Sequence, residues 1–223
     1  MKETNDSNIV ALFVRVPVPG RVKTRLASYL GDEGACSLYR SMVADILCNI
    51  AACGFPIYLF HDGRDGSGLP REWVAASSRI ITQEGDSIGE RMAAAFEHCF
   101  MENIVQVILI GSDIPGLDAQ VISSTSRALE SHDVAIAPAA DGGYCLIGMR
   151  RGNYRADVFQ NIPWSSNFVL RATLERCAEC KLEVALLKTM QDIDTIDDLK
   201  AYCRDQEKKA AATNSVLESA GFL

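Results

Sequence analysis

A chain of 223 residues, 48% hydrophobic and 23% charged, is long enough to bury a full core in one elaborated domain. Its net charge of -7 and pI near 5.0 exclude a general nucleic-acid or anionic-membrane binder, and no apolar run reaches transmembrane length. Met1 to Asn8 is polar, without an apolar signal core, so the 8 cysteines are expected as free thiols in a reducing cytoplasm.

Asn8 to Val16 is a β-rich apolar run and the expected first strand. It leads into Arg15-Val-Pro-Val-Pro-Gly-Arg-Val-Lys-Thr-Arg-Leu26, where two prolines and a glycine forbid regular structure. From Thr24 the pattern turns helical, and after a break near Gly31 the apolar Leu38, Met42, Ile46, Leu47 and Ile50 recur at helical spacing. Arg15, Arg21, Lys23 and Arg25 thus crowd a stiff loop at a helix start. Backbone N–H groups and the helix dipole add to their charge there, which reads as a phosphate site. It is not a Walker loop, and Gly-x-Gly-x-x-Gly is absent.

Pro56 to His61 and Arg79 to Thr82 are the next two strands. After the second, Gln83-Glu-Gly-Asp86 forms a turn in which Gln83 can meet a nucleobase edge, and Ser87-Ile-Gly-Glu90 has the form of a capping box. The helix it opens carries Met92, Phe96, Cys99 and Phe100 on one face. Val105 to Ile110 is unbroken and apolar, a strand buried on both faces, and Gly111-Ser-Asp-Ile-Pro115 ends it. Asp118 is the expected N-cap of a helix to about Glu130, and Asp133 to Pro138 is the following strand. Asp141-Gly-Gly143 reads as a hairpin turn, and its glycines also allow a ligand to approach the backbone closely.

Beyond Trp164-Ser-Ser166 a serine-capped helix is expected, with Val169, Leu170, Thr173 and Leu174 at helical spacing. Cys177 and Cys180 near its end lack the second pair or histidines of a zinc site, so they read as structural thiols. Leu182 to Leu187 is the last strand. Asp194 or Thr195 then caps a helix to about Cys203, which leaves Asp192 surplus to capping. Gln206 to Leu223 reads as a terminal helix or frayed tail.

Strands alternating with helices imply an α/β fold with a mostly parallel sheet covered on both faces. The cationic loop, Gln83, Asp113, the Asp-Gly-Gly turn and Asp192/Asp194 each follow a strand, so they share one sheet edge. Phosphate-binding cations beside aspartates from distant segments suggest a divalent metal, with Asp113 and Asp194 as ligands and Asp192 as the alternative; Mg2+ suits one or two carboxylates, and Mn2+ is the other choice.

These residues resemble the GT-A superfamily of nucleotide-diphospho-sugar transferases, in its glycosyltransferase-like branch, also called radical-SAM/selenodomain-associated transferases. The matching pieces are Pro17 to Leu26, Gln83 to Arg91, Gly111 to Leu117, Asp141 to Gly148, Trp164 to Ser166 and Asp192 to Leu199. The resemblance implies a three-layer α/β/α sandwich in one domain, 1–223. Residues 8–115 would bind nucleotide and 116–205 the acceptor. It also implies Asp113 as a metal ligand, with Asp194 as the second. Candidate nucleotide contacts are Arg15, Pro19, Gly20, Lys23, Arg25, Gln83, Asp86 and Ser112; candidate acceptor contacts are Asp141, Gly142, Gly143, Tyr144 and Trp164. Cys145 departs from the family, where a second aromatic residue usually follows the tyrosine.

Three functions are open. Four loop cations, with a single Asp113 rather than Asp-x-Asp, favour nucleotidyl transfer from a nucleoside triphosphate to a phosphorylated small acceptor. Lys23, Arg25 and Asp113 would then be catalytic. Glycosyl transfer from a nucleotide-sugar is the alternative, and a non-catalytic nucleotide-binding module is the third.

Overall fold

The computed structural model describes residues 8–204 and 210–223; the expectations for 1–7, and the part of the tail over 205–209, lie outside them. One seven-stranded sheet organises the chain, in the order β3-β2-β1-β4-β6-β5-β7. Its strands are β1 (Asn8–Val14), β2 (Ile57–His61), β3 (Arg79–Thr82), β4 (Gln106–Ile110), β5 (Val134–Pro138), β6 (Tyr144–Arg150) and β7 (Val184–Leu186). All pairings are parallel except those of β6, which runs antiparallel between β4 and β5. β6 therefore starts, at Tyr144, on the edge where the other strands finish. The Asp-Gly-Gly turn is a hairpin tip at that same edge.

The sheet is covered on both faces because its central strands are apolar throughout Ile9–Val14 and Val107–Ile110. Val10, Leu12, Val14, Ile108 and Ile110 point to one side, where α1 (Thr24–Ile50), α2 (Arg71–Ala76) and α4 (Ala119–Ala128) pack through Val43, Ile46, Trp73 and Ile122. Ile9, Ala11, Phe13, Val107 and Leu109 point to the other, against Phe96 and Phe100 of α3 (Ile88–Met101) and Cys177 of α5 (Val169–Glu179). α1 bends at Gly31 (φ 71°, ψ 164°), at the expected break. α3 opens on the Ser87/Glu90 capping box and α4 on Asp118, which accepts hydrogen bonds from the N–H groups of Gln120 and Val121. α2 was not foreseen: six residues after a proline are too short to show a helical period.

Two local expectations are corrected, and one left open is decided. α5 begins after Phe168, with no side-chain cap; Ser166 Oγ instead donates to Pro163 O (2.6 Å) and accepts from Phe168 N (3.3 Å) within the preceding turn. The last strand is shorter than expected, because Leu182 and Glu183 are spent on loop hydrogen bonds at the end of α5 and the start of β5. Of the two readings of the last residues, the described part is the terminal helix: α7 (Ala211–Ser219) packs with α6 (Ile196–Arg204) against Leu38 and Met42 of α1 through Leu217 and Leu199. Asp45, buried on α1, accepts hydrogen bonds from Ala212 N (2.9 Å) and Thr213 N (2.7 Å) and so supplies the cap that α7 lacks. An aspartate on the apolar face of a helix was the available signal for this.

Candidate active site

The loop after β1 is built by its prolines and glycine. Arg21 N closes a turn onto Val18 O (3.0 Å), with Pro19 second and Gly20 (φ 75°) third, the arrangement of a type II turn. The chain then passes through Lys23, which is the N-cap of α1 in a left-handed conformation (φ 48°, ψ 41°). A non-glycine residue there carries roughly 1–2 kcal/mol of strain. Arg15, Arg21 and Arg25 face solvent, but the Lys23 side chain turns inward and is only 3% exposed.

Its ammonium joins three segments. Lys23 Nζ donates to Asp113 Oδ1 (2.6 Å) and to the Ile193 carbonyl, and it lies 3.8 Å from Asp194 Oδ1. Arg25 Nη1 holds the other oxygen of Asp194 at 2.9 Å. Of the two residues proposed to cap α6, it is Thr195 that does so: Asp198 N donates to Thr195 Oγ1 (3.3 Å), and Thr195 N returns a bond to Asp198 Oδ2 (2.7 Å). Asp194 is thereby left to the cations. The loops that carry the two aspartates are joined directly, Ile193 N donating to Asp113 O (2.9 Å).

These groups stand at the mouth of a cleft of about 580 Å³. Arg25, Asp113, Asp141, Gly143, Tyr144, Trp164, Asp192 and Asp194 all line it, drawn from five separate segments. Tyr144 and Trp164 meet edge to face (6.5 Å between ring centres). Asp141 Oδ1 accepts from Gly143 N (2.8 Å), which fixes the turn. Gly142 supports the wall from behind: it adopts φ 90°, its carbonyl accepts from Leu170 N (3.0 Å), and a Cβ would run into the Asn167 backbone. Burial pushes the Asp192 carboxyl above its ordinary range, with Asp141, Asp198 and Asp113 adding to the effect. Cys145 also lines the cleft; burial, then Asp192, Asp141 and Asp113, push its thiol up to about 12.

Arg15, Pro19, Gly20, Gln83, Asp86 and Ser112 do not line this cleft. Gln83 spends its amide donor on Val14 O (3.2 Å) and Phe60 O (2.9 Å), tying together the ends of β1 and β2. Asp86 lies on the exposed turn before α3, its N–H donating to Glu90 Oε2 (2.7 Å). Ser112 is buried against Tyr39, whose hydroxyl lies 3.0 Å from Ser112 Oγ and accepts from Arg15 N (2.8 Å). Tyr39 thus joins the loop after β1 to the loop after β4. No spacing in the sequence marked it, since at that position it reads as one more apolar residue of α1.

The donor set fits a hard divalent cation. Two half-exposed carboxylates, Asp113 and Asp194, already share one positive charge, and no group of three or more His, Cys, Asp or Glu able to hold a metal occurs among the described residues. Mg2+ and Mn2+ take oxygen ligands of this kind and complete their shell with water and phosphate oxygens. Cys177 and Cys180 are free thiols, the first buried in the core. No described helix is long and apolar enough to cross a membrane.

Comparison with known proteins agrees with this architecture. A crystal structure of a Desulfovibrio desulfuricans G20 protein with the provisional name nucleotide-diphospho-sugar transferase is 32% identical and superposes with a TM-score of 0.88 over 97% of this chain and 96% of that one. A 3-phospho-D-glycerate guanylyltransferase of Phenylobacterium zucineum is 26% identical over 58% of this chain, and a 2-phospho-L-lactate guanylyltransferase of a Methanocaldococcus species is 28% identical over 63%. The matches span 62% and 60% of those two proteins' own length. The model of the family described as "Uncharacterized protein conserved in bacteria (DUF2064)" matches residues 49–166, more than half of the sequence. The chain belongs to that family and is built on the nucleotide-diphospho-sugar transferase fold.

Proposed function

We propose that the protein is a metal-dependent nucleotidyltransferase, joining a nucleoside monophosphate from a triphosphate to a phosphorylated small acceptor. The observation that carries this is the placing of one ammonium, Lys23, against two carboxylates from different loops, Asp113 at 2.6 Å and Asp194 at 3.8 Å, beside the exposed guanidinium of Arg25. Such a site is poised for a cation together with phosphates. In this reading residues 8–115 carry the nucleotide and 116–205 the acceptor. The guanylyltransferase names of two relatives make GTP the first donor to try.

An acceptor phosphate oxygen forms a bond to the α-phosphorus, the bond from that phosphorus to the bridging oxygen breaks, and pyrophosphate leaves with the electron pair. No protein base is required, because the acceptor phosphate is already anionic. The chain's own work is positioning and charge stabilisation. Arg25 and the loop after β1 grip the phosphates, Asp113 and Asp194 would hold Mg2+ or Mn2+, and Tyr144 and Trp164 wall the acceptor. When bound, the metal supplies Lewis-acid polarisation and neutralises the leaving diphosphate.

Glycosyl transfer is the second reading, supported by the name of the D. desulfuricans protein. The test is direct. Purified protein with Mg2+ is given each triphosphate with a panel of phosphorylated acceptors, and nucleotide-sugars with the same panel. Pyrophosphate release supports the first reading. Release of a nucleoside diphosphate from a nucleotide-sugar, with no pyrophosphate from any triphosphate, sinks it.

A further inference from the structure

We infer that the acceptor carries a short apolar group beside its phosphate, and that Ile88, Met92, Tyr144, Trp164 and Val169 form the slot that receives it. The inference rests on the nucleotidyl-transfer reading and departs from the phospho-carboxylates named for the two guanylyltransferases.

The cleft is divided by chemistry. Among its described lining residues, every charged one comes from a loop or turn at the strand ends: Arg25, Asp113, Asp141, Asp192 and Asp194. Arg25, Asp194, Lys23 and Asp113 form one bonded cluster, which is where a phosphate is held. The remaining wall comes from the start of α3, the start of β6 and the segment leading into α5. Its large side chains are Ile88, Met92, Tyr144, Trp164 and Val169. The polar atoms there are already engaged. The Tyr144 hydroxyl donates to Met92 Sδ (4.0 Å), and Ser166 Oγ is held by Pro163 O and Phe168 N. Ile88 is 42% exposed and Trp164 is half-buried, so this wall meets water until a ligand covers it. Covering it with hydrocarbon is favourable. A carboxylate laid on it would lose hydration and gain no partner.

A glycine keeps the slot open. Residues 83–91 reach the cleft through the first turn of α3, at Ile88, and not through Gln83 or Asp86. Beside Ile88, Gly89 lies directly against the indole of Trp164. A Cβ on Gly89 would stand 2.8 Å from Trp164 Cζ2 and Nε1 and 2.7 Å from Phe159 O. Any side chain there would drive residues 159–164, and the indole with them, out of place. Trp164 is fixed further by its N–H, which donates to Ile162 O (2.8 Å), and by the edge-to-face contact with Tyr144. A few residues on, the Asn167 backbone rests on Gly142 in the same way. A wall fixed in advance loses little entropy when a ligand covers it. An acceptor whose phosphate meets Arg25 and the metal carboxylates lays the rest of its skeleton along this wall, and the wall selects an apolar group.

Binding of methyl phosphate, propyl phosphate and 3-phosphoglycerate is measured by calorimetry, with Mg2+ and a non-hydrolysable GTP analogue present. Each buried methylene should tighten binding roughly fourfold, so propyl phosphate should bind about tenfold or more tighter than methyl phosphate. It should also bind more tightly than 3-phosphoglycerate. Ile88→Asp changes an exposed position at a helix start and should bring the propyl-to-methyl ratio close to one while the fold melts as before. Gly89→Ala should lower the same ratio and shift the fluorescence of Trp164, the other tryptophan, Trp73, being fully buried. Equal binding of the two alkyl phosphates, binding of neither, tighter binding of 3-phosphoglycerate, or an unchanged ratio in either folded variant would overturn the inference. Because binding is read without turnover, these results are separate from the pyrophosphate assay, whose failure would count against nucleotidyl transfer instead.

Discussion

Replacing Asp113 with alanine removes the main partner of an ammonium that is 3% exposed. Breaking a fully buried pair costs about 3–5 kcal/mol. Here Asp113 is itself 51% exposed, and Lys23 keeps the Ile193 carbonyl and Asp194 at 3.8 Å. Solvent screening and these remaining partners reduce the expected loss to about 2 kcal/mol. In a chain of this size that lowers Tm by about 4–8 °C. The same variant should lose a second quantity. Wild type with Mg2+ and GTP at a hundredfold excess over Kd gains about 2.7 kcal/mol from linkage, and the Mg2+-dependent share of that gain should vanish in Asp113→Ala. Asp113→Asn keeps an acceptor for Lys23, so it should recover roughly half of the lost stability, about 1 kcal/mol, and none of the metal dependence. Thermal melts in a two-by-two design, with and without metal and nucleotide, separate the two effects. A variant melting within about 1 °C of wild type would refute the structural half of the reasoning, and an intact Mg2+ increment would refute the functional half.

Three further outcomes follow from the packing. Gly142→Ala should cost about 2–4 kcal/mol, since φ 90° and the Asn167 backbone both oppose a Cβ; a urea titration that finds under about 0.5 kcal/mol would contradict the close approach. Asp45→Ala should cost about 1–2 kcal/mol by uncapping α7, and limited proteolysis should then cut near the end of the chain first. His61 is buried and accepts from Gly63 N (3.1 Å) at Nδ1, and burial holds its pKa below the ordinary 6.5. The unfolded chain therefore takes up a proton before the native state does. The stability tied to His61 is complete above its unfolded pKa and is lost as pH falls below it toward the depressed folded value; His61→Gln should flatten the stability profile in that acid window.

The strands were legible because both-face burial leaves an apolar run that nothing else explains, as in Ile9–Val14 and Val107–Ile110. Caps at Ser87 and Asp118 could be read because capping needs a particular side chain at a particular offset. The aspartates of the cleft were found by counting which residues fall at strand ends. What could not be read was aim. Nothing in the residues around Lys23 says that a lysine adopts a left-handed conformation and turns into the protein, because propensity favours glycine or asparagine there. The hairpin at Asp141-Gly-Gly143 could be read from its turn residues, and β6 does return antiparallel to β5; what could not be read was that β6 inserts between β5 and β4, because pairing order is decided by tertiary contacts. Gln83 and Ser112 were singled out for chemistry by position, yet both spend polar atoms on holding loops together.

The reversed strand also bears on how such a chain can change over time. Since β6 lies between β4 and β5, the turn at 139–143 projects beside the Asp113 loop without being part of any crossover. Its length and side chains can vary while every strand register stays as it is. Two restrictions apply: the Gly142 carbonyl is tied to Leu170 N and Ala140 N to Met190 O, so the tip must change together with the start of α5 and the segment after β7. Descendants of one ancestor could thus reshape this wall of the cleft by editing a few short neighbouring segments while the sheet behind it is inherited intact.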